Sequence, residues 1–470
     1  MTEGRGDGGQ SKGKLLSAGM LEKLKNQRSA GPVRRNAANP PNTSPQAVRK
    51  QKRFEELDSY KTVQVQKAVA AFAGVENPFY RPHETVAGAE TMIEGRKLLN
   101  FASYDYLATN ADTRVHEAAK QAIDQYGISA SASRLVAGER PVHAELERAL
   151  AENYGVESAV CFVSGYLTNI TAISCVMGPQ DVVIHDEFIH NSALTGAQLS
   201  GAKRLNFKHN DISDLERVLA NINGQFRNVL VIVEGIYSMD GDVADLRGIL
   251  DLRKKCPFWL MVDEAHSLGV LGKTGKGTFE HLEIDPNEVD IWMGTLSKTS
   301  SSCGGYIAGS AALIDILKAH AGGFVYSVGL SPPLAAAALA SLRILRESQD
   351  RISRLSHNGR FFLQRAKERG LDTGTSAGHS VVPVIVGDSL RAVELSNRLF
   401  AEGINALPII HPAVPERLAR IRFFLTCTHT EEQISEAVEK TATLLQKLVA
   451  QNVGTSSLDL EALQRSLSLR

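Results

Sequence analysis

The chain reads as an α/β protein, with a large domain built on a mainly parallel sheet covered by helices and a smaller α+β domain toward the C-terminus. Three observations predict this. Short β-branched apolar runs, at 159–163, 181–185, 204–207, 229–233, 259–262, 291–294 and 306–308, alternate with stretches of helical spacing such as 143–154 and 212–222. Alternation of this kind gives parallel strands buried on both faces. Polar clusters then follow the runs: Ser164-Gly165-Tyr166, Asp186 leading to His190, the string 234–242, Asp263-Glu264-Ala265-His266, and Lys298. Ligands of such sheets sit beyond the carboxyl ends of the strands, so five clusters at strand ends predict one site. Finally, from about Leu342 long helical patterns take over, interrupted by strand-like runs at 380–386, 404–407 and 421–425 and by a helix at 389–402, and closed by a helix at 431–451.

Taken in order, residues 1–53 carry twelve Lys and Arg against three Asp and Glu with no sustained apolar period. That is the pattern of a solvated, disordered basic arm. Its functional reading is a contact with an acidic partner, an anionic membrane surface or the rest of the protein. Segment 54–105 holds an amphipathic helix over 54–72, a turn at 77–82, a hairpin turning at Glu94-Gly95 and the aromatic-polar loop 103–107. The large domain is expected over 106–341, the small one over 342–451, and a tail over 452–470 whose spaced leucines suggest a weak helix, docked or frayed.

Composition narrows the class. A chain of 470 residues exceeds one ordinary core, and 43% hydrophobic with 22% charged residues is ordinary for a soluble globular protein. Zero net charge gives no global pull toward nucleic acid. No apolar run reaches spanning length and no signal core opens the chain, so a cytoplasmic protein is expected. Five scattered cysteines without a Cys-x-x-Cys pair argue against a disulfide framework or a metal site. The Gly272-Lys273-Thr274 run falls short of a nucleotide-binding loop, because Ser267 stands where its first glycine belongs.

The chemistry concentrates at Lys298. It lies between two apolar runs in a bed of Ser, Thr and Gly, an odd place for a strongly hydrated amine unless the amine is bonded to something. A lysine amine forms a Schiff base with a carbonyl cofactor, and small neighbours leave room for one. Thr295 adds a hydroxyl and turn amides suited to a phosphate.

Several separate motifs carry a family resemblance: Gly294-Thr295-Leu296-Ser297-Lys298 with Gly304-Gly305, Asp263-x-Ala265-His266, Ser133-Arg134-Leu135-Val136-Ala137-Gly138 with His143, Ser164-Gly165-Tyr166-x-x-Asn169, His190-Asn191-Ser192-Ala193-Leu194, His209-Asn210-Asp211, Tyr326-Ser327 before Pro332-Pro333, and Arg420-x-Arg422. Over 98–445 the chain resembles the α-oxoamine synthases, pyridoxal-phosphate enzymes of the aminotransferase-like fold type I. The resemblance implies a Schiff base between pyridoxal 5'-phosphate and Lys298, which then serves as base. It implies Asp263 at the pyridine nitrogen, His266 and Ser238 on the phenolic oxygen, and His190 stacked on the ring. Thr295 and the backbone of Gly165 and Tyr166 would hold the phosphate, with Ser164 also binding the cofactor and Ser327 reaching in from the second subunit of a homodimer.

The implied reaction is an acyl transfer. An amino acid (serine, alanine or glycine) attacks an acyl thioester on CoA or a carrier protein and loses CO2 to give an α-amino ketone. The run 425–430 and the basic arm favour a serine palmitoyltransferase-like enzyme or one for a specialised acyl chain. An 8-amino-7-oxononanoate synthase is the alternative, and a non-catalytic partner subunit a third reading. Three departures bear on the substrate. Ile410 stands where several members have an arginine, which leaves Arg422 as carboxylate anchor with His411 assisting. Asp105 replaces the usual asparagine, and either repels an anionic substrate or binds a polar side chain. Val328 replaces a common threonine and weakens the phosphate contact across subunits.

Overall fold

The computed structural model describes residues 51–455. The basic arm before residue 51 and the leucine-spaced tail from residue 456, with the contacts expected of them, lie outside the described residues. Among the described residues, 65–455 form one compact unit and 51–64 fall to a separate one. The helix Asp58–Phe72 straddles that point, after a single 3-10 turn at Phe54–Glu56. A helix was expected here, but the amphipathic face is absent: no residue of it is buried. The reason lies in spacing, since Val63 and Val65 fall two positions apart and so on opposite sides of the helix.

Two antiparallel strands follow, β1 (Glu90–Ile93) and β2 (Arg96–Asn100), paired as Ile93 with Arg96. The turn takes Glu94 and Gly95 to φ 55° and 66°. Two consecutive positive φ values match the strand twist of a tight hairpin.

Seven strands make the central sheet: β3 (Ser158–Phe162), β4 (Val182–Asp186), β5 (Lys203–Phe207), β6 (Val229–Glu234), β7 (Trp259–Asp263), β8 (Ile291–Thr295) and β9 (Gly305–Gly309). Their order is β3-β9-β8-β7-β6-β4-β5, parallel except for β9, which runs against both neighbours. All seven expected runs are strands, within one or two residues at each end. Side chains alternate between two cores: Val231, Val233, Leu260, Val262 and Trp292 pack on one face, and Leu230, Ile232, Met261, Ile291 and Met293 on the other. Burial on both faces explains why these strands read as unbroken apolar runs. Four of them end on polar residues, Asp186, Glu234, Asp263 and Thr295.

Downstream lie β10 (Val381–Ile385), β11 (Ile404–Asn405), β12 (Leu407–Ile409) and β13 (Arg420–Phe424). β13 pairs with β10 and β12 in one antiparallel sheet, whereas β11 pairs in parallel with β2. The single strand expected over 404–407 is therefore two short ones serving different sheets, with the break at Ala406. The helices Gln349–Glu368, Ser389–Ala401 and Glu431–Ala450 cover them, and a boundary placed at 341 falls inside the helix Pro332–Glu347.

What ties the later sheet to the central one is a buried ion pair. Arg420, 2% exposed, donates to Asp240 at 2.7 Å and to the Met239 carbonyl at 2.9 Å. The loop after β6 also lies so close to β10 that a Cβ on Gly241 would stand 2.1 Å from the Val381 carbonyl oxygen, and its φ of 74° asks for glycine as well. Removing one member of a buried pair strands the other charge, so Arg420→Met is expected to cost about 3–5 kcal/mol in urea unfolding. Adding Asp240→Leu to it should return much of that loss.

Candidate active site

A cavity of about 380 Å³ opens at the carboxyl ends of β6, β7 and β8. Lys298, Asp263, His266, His190, Ser238, Thr295, Ser164, Gly165, Tyr166 and Arg422 all line it. Ten of the thirteen residues singled out in the sequence thus meet in one place, although they are spread over 258 positions of chain, from Ser164 to Arg422.

Asp263 ends β7 and is 5% exposed. Its carboxylate accepts from Asn169 Nδ2 at 2.9 Å and from the Ala265 amide at 3.0 Å. The second N–H of Asn169 goes to Ser192 Oγ at 2.9 Å, and Ser192 lies 2.7 Å from His190 Nδ1. The Ser192 amide donates to the same nitrogen at 3.3 Å, which makes Nδ1 an acceptor and puts the proton of the neutral ring on Nε2. The His190 ring is thereby tied to Asp263 through two side chains.

His266 is held just as firmly. Its Nδ1 lies 2.6 Å from the hydroxyl of buried Tyr106, and Phe424 stacks on it with centroids 6.3 Å apart. Burial, then the charges of Lys298 and Arg422, hold its pKa well below the ordinary 6.5. It is neutral at physiological pH.

Lys298 follows β8, its Nζ 5.6 Å from the centre of the Tyr104 ring. No hydrogen bond or ion pair holds this amine among the described residues. Desolvation by burial lowers its pKa to about 8, against the opposing charges of Asp263 and Glu234. Arg422, on β13, donates to the Ser238 carbonyl at 2.7 Å, and its Nε is buried without a partner among the described residues.

The helix Gly165–Val176 begins at the cavity, capped by Ser164. Its first-turn amides have no intrahelical acceptor, and they meet Thr295: a Cβ on Gly165 would lie 2.8 Å from Thr295 Oγ1. Backbone donors, a hydroxyl and a glycine that permits close approach make a site for an anionic oxygen group.

Three expected residues stand elsewhere. Asp105 is buried, but its carboxylate is taken up by the Thr109 amide at 3.0 Å and the Asn110 amide at 3.3 Å, and it does not line the cavity. His411 is exposed on the later sheet's rim, outside the cavity. Ser327 lies between exposed Tyr326 and Val328, also outside it. Conversely, Glu234, Asn169, Tyr104 and Cys303 line the cavity without having been assigned a role. Glu234 had a legible signal, as the acidic residue that ends an apolar strand.

With this geometry in hand, the comparisons decide the family. A family model for aminotransferase class I and II matches residues 96–440. The chain belongs to that family. Among family members, it is 41% identical over 362 residues to an 8-amino-7-oxononanoate synthase from Symbiobacterium thermophilum, covering 76% of this chain and 92% of the relative. It is 34% identical over 391 residues to a serine palmitoyltransferase from Sphingobacterium spiritivorum, covering 83% and 96%. Among solved structures, a lysine-to-alanine variant of serine palmitoyltransferase from S. paucimobilis, with a bound PLP–myriocin aldimine, superposes with TM-score 0.80 at 27% identity, over 85% of this chain and all of that one.

Behind the cavity the family fold is braced by a charged histidine. His209 bonds Asp186 at 3.0 Å and Asp242 at 2.9 Å, while Asp186 also caps the turn that delivers His190 by accepting from the Phe188 amide at 2.8 Å. Burial lowers the His209 pKa, but the two hydrogen-bonded carboxylates outweigh it and push it up to about 10. A folded pKa above the ordinary 6.5 means the stabilisation is complete below about 6.5 and is lost as pH rises through 10. His209→Gln should therefore destabilise by about 3 kcal/mol at pH 6 and by clearly less at pH 10, read by urea unfolding at both.

Proposed function

We propose that the cavity joins a small amino acid (serine, alanine or glycine) to an acyl thioester with loss of CO2, giving an α-amino ketone in the manner of serine palmitoyltransferase. The enzyme is a pyridoxal-phosphate-dependent acyltransferase of the α-oxoamine synthase kind. The observation that carries the assignment to this pocket is that one cavity is lined by both Lys298, an amine with a lowered pKa and no hydrogen-bond or ion-pair partner among the described residues, and Asp263, a carboxylate fixed by two donors. The other residues fit the cofactor. The helix start at Gly165 with Thr295 suits its phosphate, Asp263 its ring nitrogen, neutral His266 and Ser238 its phenolic oxygen, and the braced ring of His190 its face.

When bound, pyridoxal phosphate supplies the electron sink that makes an amino acid's α-carbon acidic. Lys298 Nζ takes that proton, being near enough to neutrality to accept it. Asp263 keeps a proton on the ring nitrogen, and Arg422 binds the substrate carboxylate through its fork of donors. The acyl donor is CoA- or carrier-bound. An 8-amino-7-oxononanoate synthase is the second reading, favoured by the 41% identity to such a relative.

Two copies are proposed to form the working unit. Exposed Val136 and Tyr326, 81% and 89% accessible, sit on segments joined by the Gly329 amide to the Ala132 carbonyl at 2.9 Å, and offer an apolar face for a second chain. Ser327 lies within that face, from which it would serve the partner's phosphate. A charged replacement, Tyr326→Glu, should shift the protein to monomer in sedimentation and lower its cofactor content.

The reading is tested by adding pyridoxal phosphate to the apoprotein and following the visible band. Uptake should quicken about tenfold per pH unit up to about 8 and then level, because the neutral amine is the nucleophile. Lys298→Ala should form no band and lose roughly a thousandfold or more in turnover. Glycine, alanine and serine added in turn should shift the band with one of them, which names the substrate. A protein that takes up no pyridoxal phosphate would overturn the assignment.

A further inference from the structure

β6 and β7 end in register, Glu234 beside Asp263. In-register neighbours on parallel strands project from the same face, and both carboxyls line the cavity. The fold treats them differently. Asp263 takes two N–H donors. Glu234 takes one at hydrogen-bonding distance, the Ser238 amide at 3.0 Å on Oε2, and its Oε1 is buried with no partner among the described residues. Neither carboxyl is in an ion pair among the described residues. Two carboxyls side by side in a desolvated site do not both ionise readily, and the one with fewer donors keeps its proton.

The orientation of that proton follows from the hydrogen bonds. Oε2 serves as the acceptor for Ser238, so the hydroxyl of a neutral Glu234 is Oε1–H, which no described residue receives. The donor Ser238 is in turn fixed by Arg422, so the carboxyl cannot swing away without disturbing the proposed substrate anchor.

We propose that Glu234 is a neutral hydrogen-bond donor on the cavity floor, a positioning residue that holds its proton beside the Asp263 carboxylate and presents it to an acceptor atom of the bound cofactor. The charge balance agrees. Burial, then the charge of Asp263, push the Glu234 pKa up to about 8, with the Ser238 amide, Lys298 and the His190 backbone opposing. The other titratable groups on the cavity are Arg422, the imidazoles of His190 and His266, the phenols of Tyr104 and Tyr166, and the thiol of Cys303. The guanidinium, both imidazoles, the Tyr166 hydroxyl and the Cys303 thiol bond elsewhere. A second anion here would compete with Asp263 for the ring proton and repel an anionic ligand, whereas a neutral donor does neither.

The inference rests on the reading above only for the identity of the ligand. Infrared difference spectra of apoprotein at pH 7, wild type against Glu234→Gln, are expected to show a protonated-carboxyl C=O band that the variant lacks. This arm uses no cofactor, so it is independent of whether wild type takes up pyridoxal phosphate. In the second arm, Glu234→Leu should weaken pyridoxal phosphate binding about tenfold, the worth of one hydrogen bond. Glu234→Gln, which still accepts from Ser238 and donates into the cavity, should restore it to within about threefold. Absence of the infrared band, or a Gln variant as weak as Leu, would overturn the proposal.

Discussion

The pairing of β6 with β7 is the constraint on which the site depends. It ends two apolar strands on Glu234 and Asp263 at one level of the sheet, and the groups above them are placed by what those ends require. Asn169 bridges Asp263 to Ser192, and Ser192 orients His190. The turn after Glu234 gives one oxygen of that carboxyl a donor through the Ser238 amide, receives Arg422, and continues into Asp240, which holds Arg420. A shift of register by one residue would send each carboxyl into the opposite core. The sheet is thus more than a scaffold for the chemistry, because its hydrogen-bond ladder sets which acids become neighbours.

Much of this was legible in the chain. Parallel strands buried on both faces announce themselves as continuous β-branched runs, and their ends announce themselves as abrupt changes to polar residues. Helices with a single wet face were legible for the same reason. The strand at 404–407 was not, because a short apolar run cannot say that its two halves pair with different partners, and β11 pairs with a strand about three hundred positions earlier. The helix Asp58–Phe72 shows the converse failure: its propensity to form a helix was readable, but amphipathicity requires apolar positions on one side, and Val63 and Val65 are not.

Within the site, residues fixed by local sequence were easier to place than residues fixed by competition for donors. Asp105 sits within an aromatic-polar loop that does reach the cavity through Tyr104, yet the amides of Thr109 and Asn110 claim its carboxylate first. A side chain that caps its own turn has little left for a ligand. His411 was drawn in by its nearness to Ile410, whereas the strand that matters, β13, carries Arg422 inward and leaves that segment on the rim. Glu234 was the opposite case. Its neighbour across the ladder is 29 positions further along the chain, and nothing short of the register could have shown that two acids share the floor.

The electrostatics of the cavity then follow from which groups are satisfied. Lys298 and Arg422 bring two positive charges, burial above all keeps His190 and His266 neutral, and Asp263 is the anion best supplied with donors. With Glu234 protonated, the floor carries one negative charge under two cations, a balance that welcomes a phosphate and a carboxylate together. With Glu234 ionised, the same pocket would be neutral before any ligand arrived, and the amine of Lys298 would be held more tightly as ammonium. The proton on one buried glutamic acid therefore sets both the pull on anionic ligands and the availability of the lysine amine, which are the two properties this chemistry needs at once.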